Sequence, residues 1–344
     1  MGKPVFFIAE AGVNHDGSLE KALRLVEIAA DCGADAVKFQ TFRTEEVVMP
    51  GTAKADYQRQ QTGEGSQYDM IRALELGEPE HVEIAQRCAE RGIEFMSTPF
   101  EQWALDLLCG LGIRRVKIAS GEVVNKPLIR AVARSGLPII LSTGMATLAE
   151  VERAVGWIRD SWGETSKQEA AGDLTILHCT SNYPAAPETI NLRAMDTLRD
   201  ALNLPVGYSD HSVGVAVSIA AVARGATIIE KHFTVDPSDP GPDHAASLSP
   251  SELELLIRLI RETEAALGDG IKAPAPSELE VRALVRRSAF ARRAIQQGEF
   301  LTLDDIAFRR PSGGIGPEQV DELLGRRVAR SIVAGAMVSG DDLI

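Results

Sequence analysis

The sequence has few cysteines and no long apolar run. Its four cysteines, in 344 residues, are scattered and form no Cys-x-x-Cys pair. This argues against a disulfide framework and a cysteine zinc site, and predicts reduced thiols in a cytosolic protein. No segment approaches the roughly 18 unbroken apolar residues of a membrane span. The N-terminus lacks the basic and apolar regions of a signal peptide. We therefore expect a cytoplasmic protein without a membrane partner.

A positive net charge is also missing. The formal net charge is −13, which disfavours nucleic acid as a partner. The charge is unevenly distributed, because residues 281–330 contain ten arginines and only six acidic residues. This basic region either docks on an acidic surface or is simply a solvated arginine-rich face.

Short apolar runs and amphipathic segments alternate along most of the chain. Eight β-branched or aromatic runs, from PVFFIAE to TIIEKHF, are separated by helical patterns. This alternation predicts a (β/α)₈ TIM barrel, whose usual size is about 250 residues. A doubly wound open sheet is the alternative, but it would have fewer strands and a glycine-rich first turn, which is absent here.

A proline-rich break, IKAPAPSE, follows the last long helical pattern. We place a barrel domain at residues 1–268, a linker at 269–281 and a small C-terminal domain at 282–344. The small domain shows short strand-like pieces and glycine turns. Residues 51–70 are polar and weakly patterned, which predicts a long loop on the catalytic side of the barrel.

Polar residues gather at the carboxyl ends of the predicted strands. Parallel barrel strands are covered on both faces, so polar side chains have little packing value there. The carboxyl ends of the strands form the catalytic face of such barrels. The residues at these ends are Glu10, Lys38, Gln40, Thr98, Lys117, Ser120, Glu122, Ser142, Ser181, Tyr183, Ser209, His211, Glu230 and His232.

Lys38 and Lys117 each lie inside a predicted strand, in AVKFQ and RVKIAS. A buried ammonium group is costly unless it is paired. In a structural interpretation, each lysine extends to the surface or pairs with Glu10 or Glu122. In a functional one, the two lysines and nearby hydroxyls bind a small polyanion that carries phosphate and carboxylate. No nucleotide-binding fingerprint is present, so that anion would be a substrate.

His211 and His232 close two successive strands, whose ends are neighbours in a barrel. Two imidazoles leave coordination positions open for water or a substrate oxygen, which suits a catalytic divalent ion. Glu10 and Asp243 would complete or flank such a site. Their harder oxygen ligands favour Mn²⁺ or Mg²⁺ over zinc.

The motifs resemble those of the sialic acid synthases, which condense phosphoenolpyruvate with an N-acetylated amino sugar to form nine-carbon nonulosonic acids. The similar stretches are IAEAGVNHDG, AVKFQTF, FMSTPF, KIASGE, ILSTGMATL, LHCTSNYP, GYSDHS, EKHFTVD and GPDHAASL. The stretch AIQQGEFLTLDDIAFRRPSGG resembles the family's C-terminal antifreeze-like (SAF) domain. Within the family, KADYQRQQTGEGSQYDMIRALEL is closer to the N-acetylneuraminate and N,N'-diacetyllegionaminate synthases than to the pseudaminate branch.

The resemblance implies a role for each matching residue. The residues that would hold phosphoenolpyruvate are Lys38, Thr98, Lys117, Ser120, Ser142, Ser181 and Ser209. Those that would contact or border the acceptor, N-acetylmannosamine or 2,4-diacetamido-2,4,6-trideoxymannose, are Gln40, Phe100, Glu122, Tyr183, Asp243 and Arg310. The metal ligands would be His211 and His232, with Mn²⁺ expected and Mg²⁺ or Co²⁺ as alternatives. The catalytic carboxylates would be Glu10, Glu230 and Asp243.

The resemblance also implies a domain-swapped homodimer, in which Arg310 of the small domain reaches the active site of the partner subunit. The family commonly has a glycine two residues after this arginine, where this chain has Ser312. A serine fits there if φ is negative. It would displace Arg310 if the loop needs a positive φ.

Three other functions are consistent with parts of the sequence. Another phosphoenolpyruvate-aldose synthase would share the barrel and the lysines, but such enzymes usually lack the antifreeze-like domain. A metal-dependent TIM-barrel hydrolase would need more histidines and an early His-x-His. A non-catalytic carbohydrate- or ice-binding protein would have no use for lysines and histidines in its strands.

Overall fold

The computed structural model describes residues 3–164 and 173–344. The chain forms two compact units, Met1–Asp269 and Gly270–Ile344. Each has an apolar core of its own. Among the helices of these described residues, none is both long enough and apolar enough to cross a membrane.

The first unit is a (β/α)₈ barrel, as predicted. Its strands are β1 (Phe6–Gly12), β2 (Ala36–Thr41), β3 (Glu94–Pro99), β4 (Val116–Ile118), β5 (Ile139–Ser142), β6 (Leu174–Cys179), β7 (Val206–Asp210) and β8 (Ile228–His232). They are parallel and hydrogen-bonded in the order β3-β2-β1-β8-β7-β6-β5-β4. Strands β3 and β4, at the two ends of this order, contact each other and close the barrel.

Twelve α-helices of the described residues belong to this unit. They are α1 (Leu19–Asp31), α2 (Thr44–Val47), α3 (Asp56–Thr62), α4 (Gln67–Ala73), α5 (Glu78–Arg91), α6 (Gln102–Gly110), α7 (Lys126–Ser135), α8 (Leu148–Glu164), α9 (Pro187–Ile190), α10 (Ala194–Leu202), α11 (Ala216–Ala223) and α12 (Pro250–Leu267). Helix α1 illustrates their origin: Ser18 caps it by accepting a hydrogen bond from Lys21 N, and its apolar face buries Leu25 and Val26.

The segment predicted as a long loop, residues 51–70, does line the catalytic side of the barrel, but it is partly helical: it contains α3 and the first part of α4. Ser66 caps α4 by accepting a hydrogen bond from Asp69 N. The backbone N–H and hydroxyl of Thr44 both donate to Glu75 Oε2, which ties the start of α2 to the end of α4. Helices of four to seven residues contain at most about two turns, so hydrophobic periodicity does not reveal them.

The barrel interior explains why polar residues end the strands. An apolar layer fills the barrel, and each of its members points inward. The members are Ile8, Ala36, Met96, Ile140, Leu177 and Ile228. Side chains two residues apart share a face of a strand. The next inward-facing residue on each of these strands is therefore Glu10, Lys38, Thr98, Ser142, Cys179 and Glu230, respectively. The two-residue repeat of the strands thus places both the apolar layer of the interior and the layer of mostly polar side chains above it.

The second unit contains strands β9 (Ser288–Ala291) and β10 (Ile306–Arg309), which pair antiparallel, and helices α13 (Leu279–Val285) and α14 (Val320–Leu323). Helix α13 spans residue 282, the predicted start of the small domain. The unit's core consists of Ala289, Ala291, Ile295, Leu301, Ile306, Leu323, Val328, Ile332, Val338 and Leu343.

Two similar turns build this second unit. In each, a hydroxyl residue and an aspartate three positions later form a capping box, first Thr302 with Asp305 and then Ser339 with Asp342. Ile295 and Ile332 precede these boxes at matching positions and exchange backbone hydrogen bonds of 2.9 and 2.8 Å. These hydrogen bonds pair the two similar segments, and both isoleucines belong to the apolar core of the unit.

The serine that replaces the expected glycine fits this unit. Ser312 is not among the residues with positive φ. Its N–H and its hydroxyl both donate to Ala283 O, at 3.0 and 2.8 Å. The loop that presents Arg310 therefore does not need a glycine at this position.

Candidate active site

The carboxyl ends of the barrel strands surround a cavity of about 500 Å³, which we call the polar cavity. Fourteen of the predicted site residues line it. They are Glu10, Lys38, Gln40, Thr98, Phe100, Lys117, Ser120, Ser142, Ser181, Tyr183, Ser209, His211, Glu230 and His232. The strand-end pattern therefore located one site, with contributions from all eight strands or the loops that follow them.

Three predicted residues lie outside the lining of the polar cavity. Asp243 lines a smaller chamber beside it. Glu122 follows β4 and accepts a hydrogen bond of 2.6 Å from Asn125 Nδ2, so it is not the partner of a strand lysine. Arg310 belongs to the second unit and is exposed there.

Lys38 and Lys117 are buried beside two buried carboxylates. Lys38 Nζ lies 2.6 Å from Glu10 Oε2 and 3.7 Å from Glu230 Oε2. It also donates to Thr98 Oγ1 at 3.1 Å. Lys117 Nζ lies 3.4 Å from Glu230 Oε1. The lysines are thus paired, as the structural interpretation required, yet they line the cavity, as the functional interpretation required.

The two carboxylates differ in acidity. Burial raises the pKa of Glu10 to about 7, although the Lys38 ammonium opposes this shift. Burial also acts to raise the pKa of Glu230, but the ammonium groups of Lys117 and Lys38 outweigh it. Together with the hydrogen bond from Ser209, they hold the pKa of Glu230 at about 2. Glu230 is therefore ionised at neutral pH, whereas Glu10 can exchange a proton there.

His211 and His232 lie side by side, with ring centroids 5.3 Å apart. His211 Nδ1 lies 2.7 Å from Thr180 O. A carbonyl only accepts, so Nδ1 donates this hydrogen bond and Nε2 is the ring nitrogen left for a metal. Burial holds the pKa of His232 well below its usual value, so this ring is neutral. His232 Nδ1 is buried and has no hydrogen-bond partner among the described residues. Asp243 Oδ2 lies 3.9 Å from it.

These donors fit a divalent metal ion. Two imidazoles lie near the carboxylates of Asp243 and Glu10, and such mixed nitrogen and oxygen sets bind first-row divalent ions. The charges of the strand lysines and carboxylates also favour a metal ion in the cavity. The two lysines are matched by Glu10 and Glu230, so a polyanion would meet no net positive charge from these four groups alone.

A hydroxyl group of the cavity is free to bond a ligand. Ser142 Oγ is buried and has no hydrogen-bond partner within residues 3–164 and 173–344, which is unfavourable unless a ligand or water completes it. Nearby, Gly144 N donates to Ser120 Oγ at 2.9 Å. A Cβ at Gly144 would lie only 2.2 Å from Ser181 Oγ and 3.0 Å from Ser120 Oγ. The turn after β5 thus needs glycine to bring these hydroxyls together.

Within residues 3–164 and 173–344, the one cluster whose three donor atoms have metal-ligand spacing lies elsewhere and is an ion-pair network. Asp16, Asp239 and His244 bring their donor atoms within 4.8 Å of one another. However, Lys21 Nζ lies 2.5 Å from both Asp16 Oδ2 and Asp239 Oδ2, so an ammonium group already pairs with both carboxylates. His244 Nε2 lies 3.0 Å from Asp16 Oδ1. We interpret this network as an anchor for the loop after β8.

The sequence analysis missed Cys179, Asn182 and Met145, which also line the polar cavity. Cys179 follows Leu177 by two positions on β6, so the inward-facing period predicts its location. Its sulfur lies 3.7 Å from His211 Nδ1. Asn182 and Met145 lie in loops, where no periodic pattern indicates which side chains face inward.

A (β/α)₈ barrel with lysines, carboxylates, hydroxyls and two histidines at the carboxyl ends of its strands is an enzyme, and its site suits a small anionic substrate. The model of the NeuB family matches residues 25–272, and that of the SAF domain matches residues 286–344. The chain belongs to the NeuB family. This confirms the resemblance identified from its motifs.

Curated relatives are similar in sequence over nearly the whole chain. The chain is 46% identical to N,N'-diacetyllegionaminic acid synthase of Legionella pneumophila, over 96% of this chain and 92% of the relative. It is 44% identical to the enzyme of the same name from Campylobacter jejuni, over 94% and 96%. It is 33% identical to human N-acetylneuraminate-9-phosphate synthase, over 94% and 89%.

A solved structure agrees with the fold. The crystal structure of N-acetylneuraminic acid synthetase from Leptospira borgpetersenii, in complex with citrate, superposes with a TM-score of 0.71 at 37% identity. The match covers 81% of this chain and 90% of that one. The family assignment favours the synthase interpretation over the hydrolase that the sequence left open.

Proposed function

We propose that the protein condenses phosphoenolpyruvate with the open-chain form of an N-acetylated hexosamine. The acceptor is N-acetylmannosamine or 2,4-diacetamido-2,4,6-trideoxymannose. The products are phosphate and a nine-carbon acid, N-acetylneuraminate or N,N'-diacetyllegionaminate. The main structural support is the polar cavity, which combines two strand lysines with two histidines that suit a metal. The names of two relatives above 40% identity support the same chemistry.

We propose that Lys38 and Lys117 bind the phosphate and carboxylate of phosphoenolpyruvate. The hydroxyls that would complete this site are Thr98, Ser120, Ser142, Ser181 and Ser209. Charge-assisted hydrogen bonds of this kind hold a small anion in one orientation. Holding the enol carbon C3 close to the sugar aldehyde makes the bimolecular step effectively unimolecular, which lowers the entropic part of its barrier.

On the sugar side, we propose contacts from Gln40, Tyr183 and Asp243, with Phe100 at the wall of the site. Gln40, Tyr183 and Phe100 line both the polar cavity and the chamber that contains Asp243, so they border the space between them. Glu122 completes the proposed set within the barrel.

We propose His211 and His232 as ligands of a divalent ion, most simply Mn²⁺, with Mg²⁺ or Co²⁺ as alternatives. When bound, the ion would supply Lewis-acid polarisation of the sugar aldehyde. The family assignment is consistent with a divalent-metal requirement.

The reaction also needs proton transfers. C3 of phosphoenolpyruvate bonds to the aldehyde carbon, the aldehyde oxygen takes up a proton, and water adds at C2. The added water loses one proton, which balances the proton taken up by the aldehyde oxygen. The C2 hydroxyl then passes its remaining proton to phosphate as the C2–O bond breaks, which leaves a ketone. Glu230 bonds to Ser209 and lies near both lysines, which favours a role in holding them. We propose Glu10 and Asp243 as the groups that donate and accept protons.

We further propose a cytoplasmic, domain-swapped homodimer without nucleic-acid or membrane partners. The barrel would be the catalytic domain, and Arg310 of the small domain would contact the sugar bound in the partner subunit. The excess of arginine over acidic residues in 281–330 supports a docking role for this unit. The four free cysteines favour a reducing compartment.

Phosphate release tests the proposed reaction. Purified full-length protein is incubated with phosphoenolpyruvate, Mn²⁺ and each of the two sugars, and phosphate and product mass are measured. We expect one phosphate for each nine-carbon acid formed. Absence of phosphate release with both sugars would refute the proposal.

A further inference from the structure

An apolar chamber adjoins the polar cavity. It has a volume of about 200 Å³ and shares Gln40, Phe100 and Tyr183 with the polar cavity. We call it the side chamber. Its apolar lining consists of Val13, Phe42, Val47, Met70, Ile71 and Leu74. The enzyme's site therefore has two parts of opposite character, one with charged groups and one with hydrocarbon walls.

The walls of the side chamber are well packed. Val13, Phe42 and Leu74 are buried and form a small core of their own, with Ile71 and Phe100 packed against it. The rings of Phe42 and Phe100 meet edge to face, with centroids 6.1 Å apart. Because the hydrogen bonds from Thr44 to Glu75 also fix the surrounding segment, we treat the chamber as a preformed part of the fold.

The polar atoms of the side chamber are few. Gln58 contributes to its lining, but its side-chain oxygen already accepts a hydrogen bond of 2.9 Å from Ala55 N. Gln40 and Tyr183 lie on the side shared with the polar cavity, and Asp243 is near His232. A hydroxyl placed among Val13, Phe42, Met70, Ile71 and Leu74 would therefore face carbon atoms rather than hydrogen-bond partners on these walls.

The two candidate acceptors differ in the polarity of their groups at C4 and C6. N-Acetylmannosamine has hydroxyl groups at C4 and C6. In 2,4-diacetamido-2,4,6-trideoxymannose, C4 bears an acetamido group with its own methyl and C6 is itself a methyl. Apolar walls bind methyl groups favourably and form no hydrogen bonds with hydroxyl groups.

We propose that the side chamber takes the C4 acetamido methyl and the C6 methyl of the acceptor, and so makes the enzyme select the diacetamido trideoxy sugar over N-acetylmannosamine. This inference rests on the proposed function, since it assigns the acceptor of that same reaction. Met70, Ile71 and the other apolar lining residues then determine specificity without touching the reacting atoms.

Kinetics with both sugars test this proposal. For the wild-type enzyme, we expect kcat/KM to be roughly 100-fold higher for the diacetamido sugar, the order of discrimination that an apolar pocket achieves. Met70→Gln changes the polarity of the chamber with little change in shape, and Ile71→Thr adds a hydroxyl at a partly buried site. Each variant should lower kcat/KM for the diacetamido sugar about 10-fold or more. It should leave or raise the value for N-acetylmannosamine and leave the KM for phosphoenolpyruvate unchanged.

Met49→Gln is the matched control, because Met49 lies in the same segment but is 75% exposed and outside the chamber lining. It should behave as wild type. Wild-type preference for N-acetylmannosamine, or an equal loss with both sugars in the Met70 and Ile71 variants, would overturn the selection while the synthase activity stands. Failure of both sugars to release phosphate would instead overturn the proposed reaction, and this inference with it.

Discussion

At the scale of single residues, the site depends on buried charges that compensate one another. Lys38 lies 2.6 Å from Glu10, and both side chains are almost fully buried. A ligand that competes for this lysine must therefore weaken an existing ion pair. Removing one partner of a buried pair typically costs about 3–5 kcal/mol, because the other charge stays buried and unpaired.

This predicts a separation between stability and binding. Lys38→Met should lower the free energy of unfolding by about 3–5 kcal/mol and strongly weaken phosphoenolpyruvate binding. The double variant Lys38→Met/Glu10→Gln should recover much of the stability, since the stranded carboxylate is gone, but none of the binding. Denaturant unfolding and ligand titration measure the two effects. Normal phosphoenolpyruvate binding in either variant would leave Lys38 with a structural role only.

The histidines make the second prediction at this scale. His211→Ala and His232→Ala should each abolish high-affinity Mn²⁺ binding, measured by calorimetry, and abolish synthesis, because each removes one of two imidazole ligands. His178→Gln is the control: His178 Nε2 bonds to Ile190 O at 2.6 Å, so it has a packing role. Undiminished Mn²⁺ binding in both alanine variants would exclude these two ligands.

At the scale of elements, the short turns after the strands set the positions of the reactive groups. The turn after β5 brings Ser120 and Ser181 around Gly144, where there is no room for a Cβ. Displacing either hydroxyl would change the proposed phosphoenolpyruvate site without touching a charged residue.

We expect Gly144→Ala to raise the KM for phosphoenolpyruvate about 10-fold or more, since at least one charge-assisted hydrogen bond would be lost or displaced. Gly156→Ala is a matched control within α8, where an added Cβ meets nothing within 4 Å. It should retain activity and be slightly more stable, because alanine favours a helix over glycine. Steady-state kinetics with phosphoenolpyruvate as the varied substrate measure the KM of both variants. Unchanged kinetics for Gly144→Ala would show that this turn can relax without affecting the site.

At the scale of the whole molecule, the proposed swap predicts complementation between two inactive variants. Arg310→Ala and His232→Ala subunits, mixed and allowed to exchange, should form heterodimers with one complete site. For equal amounts, half the dimers are mixed, so activity should approach about a quarter of wild type. The separate variants, treated in the same way, are the controls. No recovery after exchange has been verified by mass spectrometry would show that Arg310 does not act across the dimer.

The sequence alone determined the barrel and most of its polar cavity. The period of two places Lys38, Thr98 and Ser142 directly above an apolar interior layer, because side chains two residues apart share a face of a strand. The match of ordered motifs then indicated the family. These inferences needed only local patterns and the rule that parallel strands end at one face of the barrel.

Only the tertiary structure decided which groups pair and where the apolar space lies. Lys117 meets Glu230, 113 positions later, rather than the nearby Glu122, because closing the barrel brings distant strand ends together. The side chamber forms where α2 and α4 pack beside residues that follow β1 and β3. No local sequence pattern predicts it. Long-range contacts of this kind depend on how elements meet in space. Sequence periodicity describes only the face of each element taken alone.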